Sequence, residues 1–65
     1  MEITVDTGRK PDGTPNGFSL GGRYLSVNEI IDRWPGEDHL YLKVRAGDGG
    51  LYLLRRDDTT HRWRL

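Results

Sequence analysis

Apolar and polar residues alternate most regularly from His39 to Arg56, HLYLKVRAGDGGLYLLRR, where β-favouring side chains flank a glycine-rich stretch on both sides. Period-two alternation interrupted by an Asp-Gly signal predicts two strands folded back on each other across Gly47-Asp48-Gly49-Gly50. With Asp48-Gly49 as a two-residue loop, Ala46 pairs with Leu51, Arg45 with Tyr52, Val44 with Leu53 and Leu42 with Arg55. Because successive side chains point to opposite faces of a strand, this register puts Leu40, Leu42, Val44, Ala46, Leu51 and Leu53 inward. Tyr41, Lys43, Arg45, Tyr52, Leu54 and Arg56 then face outward. A type I′ loop needs positive φ at both central residues, so valine at Gly49 is expected to impair folding. A lone hairpin is marginal in water, and the flanks must supply further strands over its apolar face.

Upstream, Met1 to Asp6 alternates Ile3 and Val5 against Glu2, Thr4 and Asp6, which predicts a short strand with one buried face. Residues 7–17, TGRKPDGTPNG, are rich in Gly and Pro and offer no apolar side chain, so an exposed, flexible loop is expected there. Phe18-Ser19-Leu20 resumes the alternation, and Gly21-Gly22 is a tight-turn signal into Arg23 to Val27, with Leu25 and Val27 inward. Residues 26–34, SVNEIIDRW, admit two readings. Ser26 and Glu29 have capping-box spacing and Val27, Ile30, Ile31 and Trp34 share a helical face, which fits a two-turn helix. The same residues favour sheets, and one bulge near Glu29-Ile30 makes a bent strand, which is the preferred reading. Both readings bury Ile30 and Trp34.

Pro35-Gly36 ends that element, and Asp57-Asp58-Thr59-Thr60 predicts a turn into a last strand, His61 to Leu65. A three-residue loop would set Trp63 opposite Arg55 and Leu65 opposite Leu53, both inward, and the burial of a Trp favours it. The expected fold is therefore all-β: one domain over 1–65, an antiparallel curved sheet of five or six strands closing toward a small SH3-like barrel. The alternative is α+β, with one short helix at 26–34.

Composition narrows the function classes. The 65 residues hold ten Lys and Arg against ten Asp and Glu, so there is no long-range field to attract a polyanion. The lack of cysteine removes disulfides and thiolate metal sites and favours a reducing cytoplasm. No apolar run is long enough for a membrane span.

The order Phe18-x-Leu20-x-Gly22-Arg23, Val27-x-Glu29-Ile30-x-Asp32-Arg33-Trp34-x-Gly36-x-Asp38, Tyr41-x-Lys43-Val44-Arg45, Asp48-Gly49, Tyr52-x-Leu54-Arg55-x-Asp57 and Trp63-x-Leu65 resembles a family of short bacterial single-domain β-proteins, itself a domain of unknown function. The resemblance covers most of the chain from Phe18 onward. It implies a stand-alone β-domain of cytoplasmic bacterial origin, and carries over no catalytic residue and no cofactor.

The chemistry-bearing residues are sparse. His39 and His61 with Glu37, Asp38, Asp57 and Asp58 lack metal-ligand spacing and read as solvated turn residues. Ser19 and Ser26 have no motif joining them to a base, and the paired carboxylates fall in turns, where Asp is common for backbone reasons. No catalytic residue, cofactor or metal site is expected. One constellation stands out: Tyr41, Lys43, Arg45, Tyr52 and Arg56 form an aromatic and cationic stripe on the outer face of the central hairpin. Such a stripe suits base stacking and phosphate contact, although cross-strand Arg-Tyr pairs also stabilise ordinary sheets. The expected function is a small non-catalytic interaction module for a protein partner, monomeric or weakly dimeric. The alternative is a weak binder of single-stranded nucleic acid through that stripe.

Overall fold

The computed structural model describes residues 2–8 and 14–65. Every regular element among them is a strand: β1 (Glu2–Asp6), β2 (Gly17–Leu20), β3 (Arg23–Pro35), β4 (His39–Ala46), β5 (Leu51–Asp57) and β6 (Trp63–Arg64). Each strand pairs antiparallel with the next and β1 also pairs with β6, so the sheet closes into a small all-β barrel of the SH3-like kind. Residues 26–34 lie within β3, so the alternative helix is not formed. Among the described residues no helix is long and apolar enough to cross a membrane.

Closure depends on β3, which spans 13 residues and serves two neighbours. Its first part pairs with β2 through Ser26, and the turn between them, Gly21 (φ 58°) and Gly22 (φ 79°), uses the left-handed backbone that a two-residue hairpin loop requires. From Val27 onward it pairs with β4. Register steps between Val27 and Glu29 and between Ile30 and Asp32 leave Asn28 and Ile31 without partners, which makes two bulges where one was expected. The first keeps Ile30 inward, opposite Val44. The second inverts the parity again, so Trp34 sits outside opposite Tyr41 and is 38% exposed, contrary to its expected burial.

The expected loop at 7–17 is only partly comparable, since residues 9–13 and the flexibility expected there lie outside the described residues. Its second half is not a solvent loop. Pro15 is fully buried, the Asn16 N–H donates to the Asp6 carbonyl (2.6 Å) and its own carbonyl accepts the Val27 N–H (2.8 Å), which seats the start of β2.

The core is Ile3, Phe18, Leu25, Leu42, Val44, Ala46, Leu54 and Trp63. On β4 the expected parity holds, with Leu42, Val44 and Ala46 enclosed. On β5 it is reversed. The Ala46 N–H donates to the Gly50 carbonyl and the Gly49 N–H to the Ala46 carbonyl, both at 2.9 Å, so the loop is Gly47-Asp48-Gly49, three residues rather than two. Gly49 alone in that loop has positive φ, 84°, as the left-handed third residue of such a turn requires. Val44 therefore pairs with Tyr52 and Leu42 with Leu54, one residue off the expected register. That single step sends Leu51 and Leu53 outward, at 50% and 46% exposure, and encloses Leu54 completely.

The last hairpin follows from the same inversion. Inner parity on β5 now belongs to Tyr52, Leu54 and Arg56, so a buried Trp63 has to lie opposite Arg56, not Arg55. An even loop achieves this: the Asp57 N–H donates to the Arg62 carbonyl and the His61 N–H to the Asp57 carbonyl, both at 2.8 Å, enclosing Asp58 to His61. His61 turns the chain in left-handed backbone, φ 59°. The expected burial of Trp63 holds, while Leu65, expected inward, is exposed.

Urea denaturation should separate the two parities. Leu54→Ala should cost about 2–5 kcal/mol, as a cavity in a closed core does, whereas Leu53→Ala should stay within about 0.5 kcal/mol of the parent. Gly49→Ala should cost about 1–2 kcal/mol through the left-handed backbone it must adopt, with the urea m-value unchanged.

Candidate functional site

The three-residue turn decides what the outer surface offers. Antiparallel partners share a face, so the outer side of β3, β4 and β5 is built in rows across the sheet. Glu29, Arg45 and Leu51 form one row, Asp32, Lys43 and Leu53 the next, and Trp34, Tyr41 and Arg55 the third. Trp34 and Tyr41 stack, with ring centroids 5.7 Å apart and planes 14° from parallel, and His39 continues the run at 6.2 Å from Tyr41. Beside this stack lies an open depression of about 270 Å3 lined by Trp34, Lys43, Leu51, Tyr52 and Leu53. Its lining is mainly apolar and includes the Lys43 side chain.

The expected stripe is thereby divided. Tyr41, Lys43 and Arg45 stand on the outer face as expected, because β4 keeps its parity. Tyr52 and Arg56 do not join them. The Tyr52 ring meets Phe18 edge-on at 5.3 Å and 68°, and its hydroxyl donates to the Asp48 carboxylate at 2.7 Å. Arg56 lies with its guanidinium 5.8 Å from the Trp63 ring centroid and its Nε 3.2 Å from the Asp58 carboxylate. Both are engaged on the inner parity, covering the ends of the core.

The remaining cations are also locally balanced. Arg45 faces Glu29 and Lys43 faces Asp32 across the β3–β4 ladder, so each base of the stripe has a carboxylate-bearing neighbour. A phosphate approaching either one meets the acid as well, which weakens the attraction on which backbone contacts to nucleic acid depend.

The turn residues considered as metal ligands do come together in part. The Asp58 N–H donates to the Asp38 carbonyl at 2.9 Å, which holds the two turns at one end of the barrel. Their carboxylates serve the turns themselves: Asp57 accepts the N–H groups of Thr59 (2.8 Å) and Thr60 (3.3 Å), and these bonds hold its pKa below the usual carboxylate value. Among the described residues no three His, Asp or Glu side chains converge on one point.

Trp34, Leu51 and Leu53 are the surface residues that the alternation pattern misses. A signal for the leucines exists in the loop, since Gly47-Asp48-Gly49 satisfies a three-residue turn with glycine at its left-handed third position as well as Asp48-Gly49 satisfies a two-residue one.

The Asp48 carboxylate, held by the Tyr52 hydroxyl first and the Gly50 N–H (2.8 Å) second, has its pKa lowered from the ordinary carboxylate value. A lowered folded-state value means a contribution that is complete above the unfolded-chain pKa and is lost as pH falls through the folded one. Tyr52→Phe should therefore shrink the loss of stability between neutral pH and acid, measured as urea midpoints over a pH series. An unchanged acid limb would show that the pair adds nothing.

Comparison with family models, with curated proteins and with solved structures returns no match to this chain, so its function has to be argued from the face itself.

Proposed function

We propose that this chain is a small, non-catalytic interaction module that binds a protein partner through the outer face of β3, β4 and β5. The observation that carries this reading is the pair Leu51 and Leu53, which stand about half exposed around Lys43 and beside the stacked Trp34 and Tyr41. Solvated sheet faces commonly carry long polar side chains, so adjacent large apolar groups on one depression mark a surface that is covered in use. The face sets aromatic and aliphatic side chains around Lys43 and borders them with Arg45, Arg55, Glu29 and Asp32, a mixture of apolar anchors and charged groups that suits an interface. The shallow site and the small barrel filled by its own side chains support binding over catalysis. The cysteine-free composition supports a reducing, cytoplasmic setting.

The nucleic-acid reading loses Tyr52 and Arg56 from its stripe and finds acids opposite the two remaining β4 bases. Two titrations of isotope-labelled protein should divide these readings. Peptides selected from a random display library should shift the amides of Trp34, Leu51 and Leu53, and their binding should vanish in Leu53→Glu, whose fold is checked by its amide spectrum. Oligothymidine at low salt should leave Tyr41, Lys43 and Arg45 unmoved. Salt-sensitive shifts there, with no peptide selected, would reverse the conclusion.

A further inference from the structure

The depression on the outer face is centred on Lys43, a residue of β4 laddered to Asp32 of β3 on one side and to Leu53 of β5 on the other. Its walls are Trp34 from β3 and Leu51, Tyr52 and Leu53 from β5. It is therefore a feature of the middle of the sheet, shaped by side chains on strands that are already paired.

Size limits the occupant. A volume of about 270 Å3 falls just below the roughly 300–1,000 Å3 of pockets that enclose drug-sized ligands. An open space of that size accommodates one large side chain of a partner.

Trp34 indicates which kind. Tyr41 stacks nearly parallel on one face of the indole, and Tyr41 does not line the depression. The indole thus meets the depression with its other face or its edge, and an aromatic ring packs well on either, offset or edge-on. Leu51 and Leu53, half exposed, supply apolar surface for the rest of that ring.

Lys43 supplies a second requirement. Its side chain is exposed, and among the described residues no carboxylate stands within ion-pair distance of its ammonium. Asp32, its ladder neighbour, accepts the Arg33 N–H at 2.8 Å. The three outer rows set Lys43, Arg45 and Arg55 against Glu29 and Asp32, so the long-range pull on an anion is small. At contact the selection is sharper: an ammonium beside apolar walls pairs with a carboxylate and rejects another cation. In an extended segment, side chains two positions apart share a face, so a ring and a carboxylate at that spacing reach the depression together.

We infer that the depression takes an aromatic side chain of a partner protein, with an Asp or Glu two positions away from it in the partner's sequence meeting Lys43. This rests on the protein-binding reading above and specifies the partner. A second copy of this chain does not supply the motif. The only Phe, Tyr or Trp in the sequence with an acid two positions away is Trp34, with Asp32, and Trp34 is itself a wall of the depression.

The probe is the blocked peptide acetyl-Thr-Phe-Thr-Glu-Thr-amide, titrated into isotope-labelled protein. It should shift the Trp34 indole N–H and the amides of Lys43 and Leu53. Alanine in place of its phenylalanine should weaken binding about tenfold or more. Glutamine in place of its glutamate should weaken binding about two- to fivefold, as loss of a solvent-exposed ion pair does. That preference for glutamate should disappear in Lys43→Gln, whose fold is checked by its amide spectrum. Equal binding of the glutamate and glutamine peptides would overturn the inference, as would a preference that persists in Lys43→Gln, equal binding of the alanine peptide, or no binding at millimolar peptide. A glutamine peptide with a free C-terminal carboxylate that binds as well as the probe would assign Lys43 to a chain terminus, and overturn it too. If library-selected peptides still shift Trp34 in those cases, the interaction module stands and only the aromatic and acidic motif falls. If they too fail, both readings fall.

Discussion

One glycine in left-handed backbone governs this molecule. Gly49, at the third position of a three-residue turn, sets the pairing of β4 with β5. Everything on β5 inherits its face from that turn, because a strand has no means of moving one side chain inward without moving its neighbour outward. Leu54 closes the core beside Phe18 and Val44, and Tyr52 seals its edge against Phe18. The final strand is set by the same parity. Trp63 reaches the interior only opposite Arg56, and so the last loop is even and turns through His61.

The legible parts of the fold are those where one parity is apolar and the other is not. β1 alternates Ile3 and Val5 with polar residues, and β4 alternates Leu42, Val44 and Ala46 with Tyr41, Lys43 and Arg45; both strands face as the pattern says. Leu51-Tyr52-Leu53-Leu54 is apolar at both parities, so alternation cannot choose between registers there, and Gly49 and Gly50 suit either turn. The choice falls to packing. A leucine and a tyrosine, Leu54 and Tyr52, close the interior where Leu53 and Leu51 were expected to do so.

Trp34 illustrates a second limit. Each bulge reverses the facing of all that follows it, so the number of bulges matters more than their location. One bulge in β3 would bury Trp34, and the pair at Asn28 and Ile31 exposes it. The sequence has no mark that counts bulges, since Asn28, Ile31 and their neighbours are all compatible with a continuous strand. The candidate surface is a product of these two parity events, one in β3 and one in the β4–β5 turn. They bring Trp34, Leu51 and Leu53 to the same side as Tyr41 and Lys43.

That coincidence bears on what the three-residue turn costs the fold. Two half-exposed leucines and a tryptophan lend the folded barrel less than they would inside it, since burial of such side chains is worth about 1.5–3 kcal/mol each. Their exposure works against solubility, and the charged neighbours Lys43, Arg45 and Arg55, with Glu29 and Asp32 across the ladder from the two β4 bases, offset it by keeping the patch small and hydrated. Opposite charges interleaved with apolar groups also constrain any surface laid against this face, because a wrong register sets like charges together.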